Sequence, residues 1–143
     1  MTGYLLDVNV LLALADPQHV HHQATHIWFA GHGRTAWATC PITENAFVRI
    51  GSHTSYPNRP GEAPAVLELL RRMCATDGHR FWADTVSLRD ALVLDASLTH
   101  AQVTDTYLVA LAVSHGGRLA TLDRRIAATA VPGGPAALEV IPV

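Results

Sequence analysis

Lysine is missing from this 143-residue chain, so arginine supplies all ten of its basic residues. Twelve acidic residues bring the formal net charge to −2. This balance argues against a protein that wraps nucleic acid by broad electrostatic attraction. Arginine binds phosphate through two parallel hydrogen bonds, but the many alanine and glycine residues favour a simpler explanation for the arginines, which is GC-rich codon usage.

Cysteine, long apolar runs and targeting signals are also scarce. The two cysteines, Cys40 and Cys74, lie in no metal-binding or redox spacing. The longest apolar run, at 107–113, is much shorter than a membrane span. The N-terminal stretch lacks the basic, apolar and cleavage regions of a signal peptide. These absences predict a cytoplasmic protein with reduced thiols and no membrane association.

Apolar residues make up 49% of the chain, which is enough for a hydrophobic core, and the length predicts one domain over 1–143. Strand and helix patterns alternate, which is typical of a mainly parallel sheet with helices on both faces. The predicted strands are 3–6, 35–39, 79–84, 118–123 and 137–143. The predicted helices are 8–15, 17–30, 41–50, 65–75, 87–96 and 104–117, with a surface loop at 52–64.

Two helix starts carry recognisable capping residues. Asp16 is predicted to cap the helix at 17–30, with Pro17 at its first helical position. Ser87 is predicted to cap the helix at 87–96.

Asp7 interrupts an otherwise apolar stretch, LLDVNVLLAL, at the end of the first predicted strand. A buried carboxylate is costly unless it is paired, hydrogen-bonded or bound to a metal. Asp123 follows the strand residues RLATL, Glu44 lies in the first turns of the helix after 35–39, and Asp105 lies in the first turn of the helix at 104–117. In a parallel sheet these four acids are expected near one rim, beyond the carboxyl ends of the strands.

Each acid also has a purely structural explanation. Asp7 and Asp123 can cap helices, Asp105 favours the positive end of its helix dipole, and Glu44 can be a solvated helix residue. Phe47 shares a helix face with Glu44, however, which indicates apolar surroundings. Carboxylates crowded into such a place repel one another, and an oxygen-preferring ion such as Mg²⁺ or Mn²⁺ relieves the repulsion.

Several segments, taken in order, resemble the PIN domain: LLDVNVLLAL, PITENAFVRI and VTDTYLVALAVSHGGRLATLD. The resemblance covers nearly the whole chain and is closest to the toxin ribonucleases of VapBC toxin–antitoxin pairs of the mycobacterial type. It implies an α/β three-layer sandwich, with a central mainly parallel sheet flanked by helices. It also implies metal-dependent hydrolysis of RNA, a cognate antitoxin that inhibits the enzyme, and a homodimer.

The resemblance assigns the acidic site to Asp7, Glu44, Asp105 and Asp123, with Mg²⁺ (or Mn²⁺) as cofactor. Asp7 and Asp105 are predicted to be the principal ligands. Glu44 and Asp123 are expected to bind a second ion, bind through water, or orient the attacking water. Asn9 either hydrogen-bonds Asp7 or a bound water, or caps the first helix.

Other polar residues near these segments have weaker assignments. Arg49, Arg124 and Arg125 are candidate phosphate contacts, although each taken singly is better explained as a solvated charge. Thr104 and Thr121 flank site acids, and capping and strand propensity explain both of them.

One histidine pair and one further acid also resemble site residues. His22 and His26 stand four residues apart on a helix, as in a zinc pair, but no third ligand completes the set, which favours surface histidines. Asp84 follows a predicted strand and is interpreted as a cap, although of the remaining acids it most resembles a site residue.

Two further function classes remain as alternatives. A catalytically inactive PIN-like protein would act as a partner-binding module, and the complete set of four acids favours the enzyme instead. A flavodoxin-like phosphoacceptor domain also places acids beyond its strands, but it would carry a lysine late in the chain, where this sequence has none.

A basic segment of the antitoxin is expected to bind over the acidic site, because a guanidinium pairs well with crowded carboxylates. The helices at 8–15 and 17–30 are expected to border a groove for an amphipathic partner helix. The apolar residues that would border this groove are Val10, Leu14, Val20, Ile27 and Trp28. Most of them must nevertheless belong to the core.

Overall fold

Five short strands form one sheet in the order β3-β2-β1-β4-β5, and every neighbouring pair is parallel. The computed structural model describes residues 3–93 and 97–143. The strands are β1 (Tyr4–Leu6), β2 (Trp37–Thr39), β3 (His79–Phe81), β4 (Arg118–Thr121) and β5 (Leu138–Val140). The predicted α/β fold with a mainly parallel sheet is confirmed.

Six α-helices in the described residues cover the two faces of the sheet. They are α1 (Val8–Ala15), α2 (His22–Trp28), α3 (Pro41–Gly51), α4 (Ala63–Cys74), α5 (Leu88–Ala91) and α6 (Val103–Ser114). Helices α1 to α4 pack on one face, in a core that contains Leu6, Trp37 and Phe47. Helix α6 packs on the other face, against Leu5 and Leu119. These three layers are those expected of the sandwich.

The central position of β1 follows from its sequence. All three of its residues are buried, as expected for a parallel strand that has helices on both faces. Alternate side chains enter opposite cores, since Leu5 belongs to the α6 core and Leu6 to the α1–α4 core. The Asp7 N–H extends the ladder by donating to the Ala120 carbonyl oxygen at 3.0 Å. The strand therefore delivers Asp7 to the rim at the carboxyl ends of β1 and β4.

Helix α6 is almost wholly apolar because it is almost wholly buried. Seven consecutive residues, from Thr106 to Ala112, are buried, so the helix has no solvated face that would require a polar stripe. In the described part of the chain, no helix is both long enough and apolar enough to cross a membrane.

The predicted helix at 17–30 begins later than its sequence pattern suggests. Helix α2 begins at His22, and a π-helical turn follows at Phe29–Gly33. Asp16 Oδ1 accepts from the Gln18 N–H at 2.9 Å, as a cap would, but residues 17–21 form turns and a bend rather than a helix. Its Oδ2 accepts hydrogen bonds from the Tyr56 hydroxyl at 2.8 Å and the Asn58 amide at 3.0 Å. The prediction of Asp16 and Pro17 as a helix start is therefore wrong, and Asp16 instead anchors the loop at 52–64.

The predicted helix at 87–96 is also shorter. Ser87 does cap α5, since its hydroxyl accepts from the Arg89 N–H at 3.2 Å. The helix ends at Ala91 because Leu92 is extended and the Val93 N–H donates to the Ala130 carbonyl oxygen at 2.9 Å. Residues 94–96 of the predicted helix lie outside the described residues.

Candidate active site

Asp7 is the most deeply buried acid of the predicted site, with 4% of its surface exposed. Its Oδ1 accepts a hydrogen bond from the Val8 N–H at 2.8 Å, so it caps α1. Its Oδ2 accepts from the Thr121 hydroxyl at 2.8 Å. Burial raises the pKa of Asp7 despite these two hydrogen bonds, and the charge of Asp123 raises it further. Asp7 therefore caps a helix and is also a buried acid whose ionisation is disfavoured.

Asp105 and Asp123 face the same rim. Asp105 lies in the first turn of α6 and is half-buried. Burial, together with the charges of Asp7 and Asp123, raises the pKa of Asp105 to about 6. Asp123 follows β4, and its Oδ1 accepts from the Arg125 N–H at 2.8 Å. Asp7, Asp105 and Asp123, which we name the aspartate trio, are close enough for the charge of Asp123 to disfavour ionisation of both Asp7 and Asp105.

Thr121 organises the rim, a role that the sequence interpretation missed. It is fully buried and donates to Asp7, while its oxygen accepts from the Asp123 N–H at 3.0 Å and the Asn9 amide at 3.3 Å. Asn9 in turn accepts from the Leu122 N–H at 3.1 Å and so joins α1 to the end of β4. The sequence did contain a signal for Thr121, because it is a polar residue within an apolar strand close to Asp123. The same reasoning identified Asp7.

The structure places the fourth predicted acid, Glu44, in a different environment. Its Oε2 accepts from the Thr39 hydroxyl at 2.7 Å, and the same hydroxyl lies 2.7 Å from Nε2 of His79. Thr39 follows Trp37 at an interval of two residues and so points into the α1–α4 face. The trio lies around Thr121. This residue follows Leu119, which belongs to the α6 core, at the same interval of two and therefore points towards α6. Three of the four predicted acids thus come together, and the Glu44 carboxylate lies on the other face of the sheet.

The donor set of the aspartate trio fits a hard divalent cation. Its ligand atoms are all carboxylate oxygens, and among the described residues neither Asp7 nor Asp105 has an ion-pair partner. The carboxylates are spread more widely than the most compact group of ligands in the described chain, which is formed by Glu44, Cys74 and His79. Mg²⁺ suits a wider carboxylate site because it retains several waters and binds one or two carboxylates directly.

An open cleft of about 520 Å³ adjoins the trio and is lined by Asn9, His19, His21, Leu122, Asp123, Arg124 and Arg125. Two of the three arginines predicted as phosphate contacts therefore stand at its edge. Arg49 lines a different cleft with His53 and Tyr56. The cleft offers cationic groups next to the acids, which is the arrangement needed to hold a phosphodiester beside a cation site.

In the rival histidine pair, one ring nitrogen of each residue contacts a backbone carbonyl oxygen of α1. His22 Nδ1 lies 2.7 Å from the Ala13 carbonyl oxygen, and His26 Nε2 lies 2.9 Å from that of Leu14. These contacts join α2 to α1, so a packing role accounts for both histidines. Asp84 is exposed, and its charge adds to the effect of burial in raising the pKa of Tyr107.

The raised pKa of Asp105 predicts a pH-dependent cost to stability. With EDTA present, the folded state binds the Asp105 proton more tightly than the unfolded chain, whose pKa is near 3.8. The destabilisation is therefore complete above pH 6 and disappears as the pH falls to about 4. We expect Asp105→Asn to raise Tm at pH 7.5 by about 3–5 °C, corresponding to about 1 kcal/mol after solvent screening. No rise is expected at pH 4.

Thermal unfolding of the variant and of Asp77→Asn, which alters an exposed aspartate, checks this prediction at both pH values. An equal gain at pH 7.5 and pH 4 would show that charge repulsion is not the cause.

The family model of the PIN domain matches residues 4–132. The chain is 51% identical to Ribonuclease VapC44 of Mycobacterium tuberculosis over 131 residues, which cover 90% of this chain and 92% of that protein. From the same organism, Ribonuclease VapC39 is 44% identical over 131 residues, with 90% and 94% covered, and Ribonuclease VapC38 is 46% identical over 122 residues, with 83% and 84% covered. The chain therefore belongs to the PIN-domain family, among its VapC-type members.

Proposed function

We propose that this protein is a metal-dependent endoribonuclease, the toxin of a type II toxin–antitoxin system. The observation that carries the proposal is the aspartate trio at the rim of the sheet, where burial and the charges of neighbouring aspartates raise the pKa of Asp7 and of Asp105. The relatives support the same conclusion, since a protein that is 51% identical to this chain is named a ribonuclease. The whole chain, 1–143, forms the nuclease domain in this proposal.

The chain's own residues divide the work at the rim. Asp7 and Asp105 hold the cation, and Asp123 contributes from the end of β4. Thr121 orients Asp7 through its hydroxyl, while its oxygen fixes the backbone of Asp123. A bound Mg²⁺ (or Mn²⁺) supplies charge neutralisation at the phosphate and a lowered pKa for the attacking water. Glu44 is the fourth acid of the proposed site, and it reaches the trio only when its carboxylate leaves the Thr39 hydroxyl.

The RNA is proposed to enter by the cleft beside Asp123. Arg124 and Arg125 are exposed there, and arginine forms bidentate hydrogen bonds with phosphate oxygens. The net charge of −2 restricts favourable phosphate contacts to such local positions. Recognition of a defined RNA segment, rather than extended wrapping of the backbone, follows from this arrangement.

The partner is proposed to be a cognate antitoxin that places an arginine against the trio. Two apolar side chains, one just before α2 and one within it, are available for the rest of the contact, since Val20 is 85% exposed and Ile27 is 67% exposed. Val10 and Trp28 are instead buried in the core, so they form no part of a groove. The free thiols of Cys40 and Cys74 accord with a cytoplasmic location.

Removal of divalent metal tests the enzymatic part. We expect the purified chain to cut RNA with Mg²⁺ or Mn²⁺, to lose cleavage in excess EDTA, and to recover it when metal is restored. Sequencing of the new 5′ ends after induced expression identifies the substrate. Undiminished cleavage in EDTA would contradict a metal-dependent site, and an absence of cleavage with either ion would favour a partner-binding module.

The protein is also proposed to be a homodimer. Exposed apolar side chains such as Phe81, at 56%, and Val143, at 56%, offer surface for self-association. Light scattering at micromolar concentration should give twice the 15.4 kDa chain mass. A mass equal to one chain would contradict the dimer.

A further inference from the structure

A second cluster of ligand side chains lies on the α1–α4 face of the sheet. Glu44 comes from the first turn of α3, Cys74 ends α4, and His79 begins β3. One ligand atom from each residue lies within 4.8 Å of the other two, and all three residues are half-buried. Among residues 3–93 and 97–143, no other group of three such side chains meets this distance.

Thr39 holds this cluster together. Its buried hydroxyl donates to Oε2 of Glu44 and lies 2.7 Å from Nε2 of His79. It also interacts with the Cys74 thiol. One residue from the adjacent strand therefore contacts all three groups, as outer residues do around metal ligands. The Oε1 atom of Glu44 makes no hydrogen bond to the described residues and is available to a ligand.

The three groups have the chemistry of a zinc site. Thiolate, imidazole and carboxylate are the ligands that Zn²⁺ takes in proteins, and three protein ligands leave a fourth position for water. Mg²⁺ prefers oxygen ligands and disfavours sulfur. The cluster and the aspartate trio therefore differ in the metals that they select.

The distances are compatible with closure around one ion. Donor atoms bound to one tetrahedral zinc lie about 3.3–3.8 Å apart, given bond lengths of about 2.0–2.3 Å. The side chains therefore need to approach by at most about 1.5 Å from the present 4.8 Å limit. Glu44 has a flexible side chain and Cys74 a short one. Rotation of these two side chains can supply that movement without a change in the helix backbone.

We propose that Glu44, Cys74 and His79 form a second metal site, selective for Zn²⁺ over Mg²⁺. Bound Zn²⁺ holds Glu44 on the α1–α4 face, away from the trio. Zinc is therefore expected to inhibit RNA cleavage by withdrawing the fourth acid, a consequence that rests on the proposed nuclease function. The binding of the metal does not depend on that function.

Cobalt provides a direct test with the metal alone. Titration of the metal-free protein with Co²⁺ under a phosphine reductant should produce thiolate-to-cobalt charge-transfer absorption, which Zn²⁺ removes and excess Mg²⁺ does not. Cys74→Ser should lose this absorption, and His79→Gln should weaken Co²⁺ binding at least tenfold. Asp7→Asn and the exposed-histidine control His100→Gln should keep it. Circular dichroism confirms that each variant is folded.

Activity then distinguishes the two proposals. Cys74→Ser should cut RNA with Mg²⁺ as the wild type does, but should resist inhibition by micromolar Zn²⁺. Cobalt absorption without a sulfur band, or a band unchanged in Cys74→Ser, would overturn the second site whatever the nuclease assay shows. A normal cobalt result in a protein that cuts no RNA would overturn the nuclease and leave the metal site standing.

Discussion

Asp7→Asn is expected to abolish RNA cleavage while the protein stays folded. Asp7 is the most buried member of the trio, and both of its oxygens are held in place, by the Val8 N–H and the Thr121 hydroxyl. An asparagine keeps the shape but removes the negative charge that binds a cation. Metal assistance contributes several kcal/mol to such reactions, so we expect a loss of at least about 100–1,000-fold in rate under saturating Mg²⁺.

The stability of this variant separates a lost site from a lost fold. The substitution disturbs one hydrogen bond, at about 1 kcal/mol, and relieves repulsion from Asp123, so the two effects largely offset each other. Tm should stay within about 3 °C of the wild type in EDTA. Asp77→Asn, on the exposed surface, serves as the matched control and should cleave normally. Cleavage by Asp7→Asn at the wild-type rate would place the chemistry elsewhere.

Neutralisation of Asp105 is expected to weaken antitoxin binding. In the absence of metal, an inserted guanidinium would meet a half-buried carboxylate whose pKa is raised by burial and by two neighbouring aspartates. Pairing with arginine removes that unfavourable energy. Loss of one partner in such a buried pair costs about 2 kcal/mol or more, so Asp105→Asn should raise the Kd at least about thirtyfold.

The affinity is best measured in EDTA at one fixed salt concentration, because exposed charges respond to ionic strength. Asp77→Asn again provides a control with the same change in net charge. Substitution of the basic residues of the antitoxin should produce the same loss. If Asp7→Asn and Asp105→Asn both bind with wild-type affinity, the partner does not use the acidic rim.

The fold was largely readable from the sequence because local patterns carry it. Apolar strands such as Tyr4–Leu6, alternating with amphipathic or apolar helices, leave few arrangements other than a parallel sheet between two helical layers. Errors arose where a side chain had a distant partner. One oxygen of Asp16 accepts from the Gln18 N–H as in a helix cap, but the chain that follows forms turns, and Tyr56 and Asn58, forty and more residues away, bind the second oxygen.

By itself, the sequence determined that acids follow the strands and that their flanks resemble those of PIN domains, because residue type and spacing along one chain are local properties. Only the tertiary structure decided which of these acids share an environment. Asp7, Asp105 and Asp123 meet through β1, β4 and α6 around Thr121, whereas Thr39 draws Glu44 towards Cys74 and His79. The physical reason is the alternation of side chains between the two faces of a strand, combined with hydrogen bonds between residues distant in sequence.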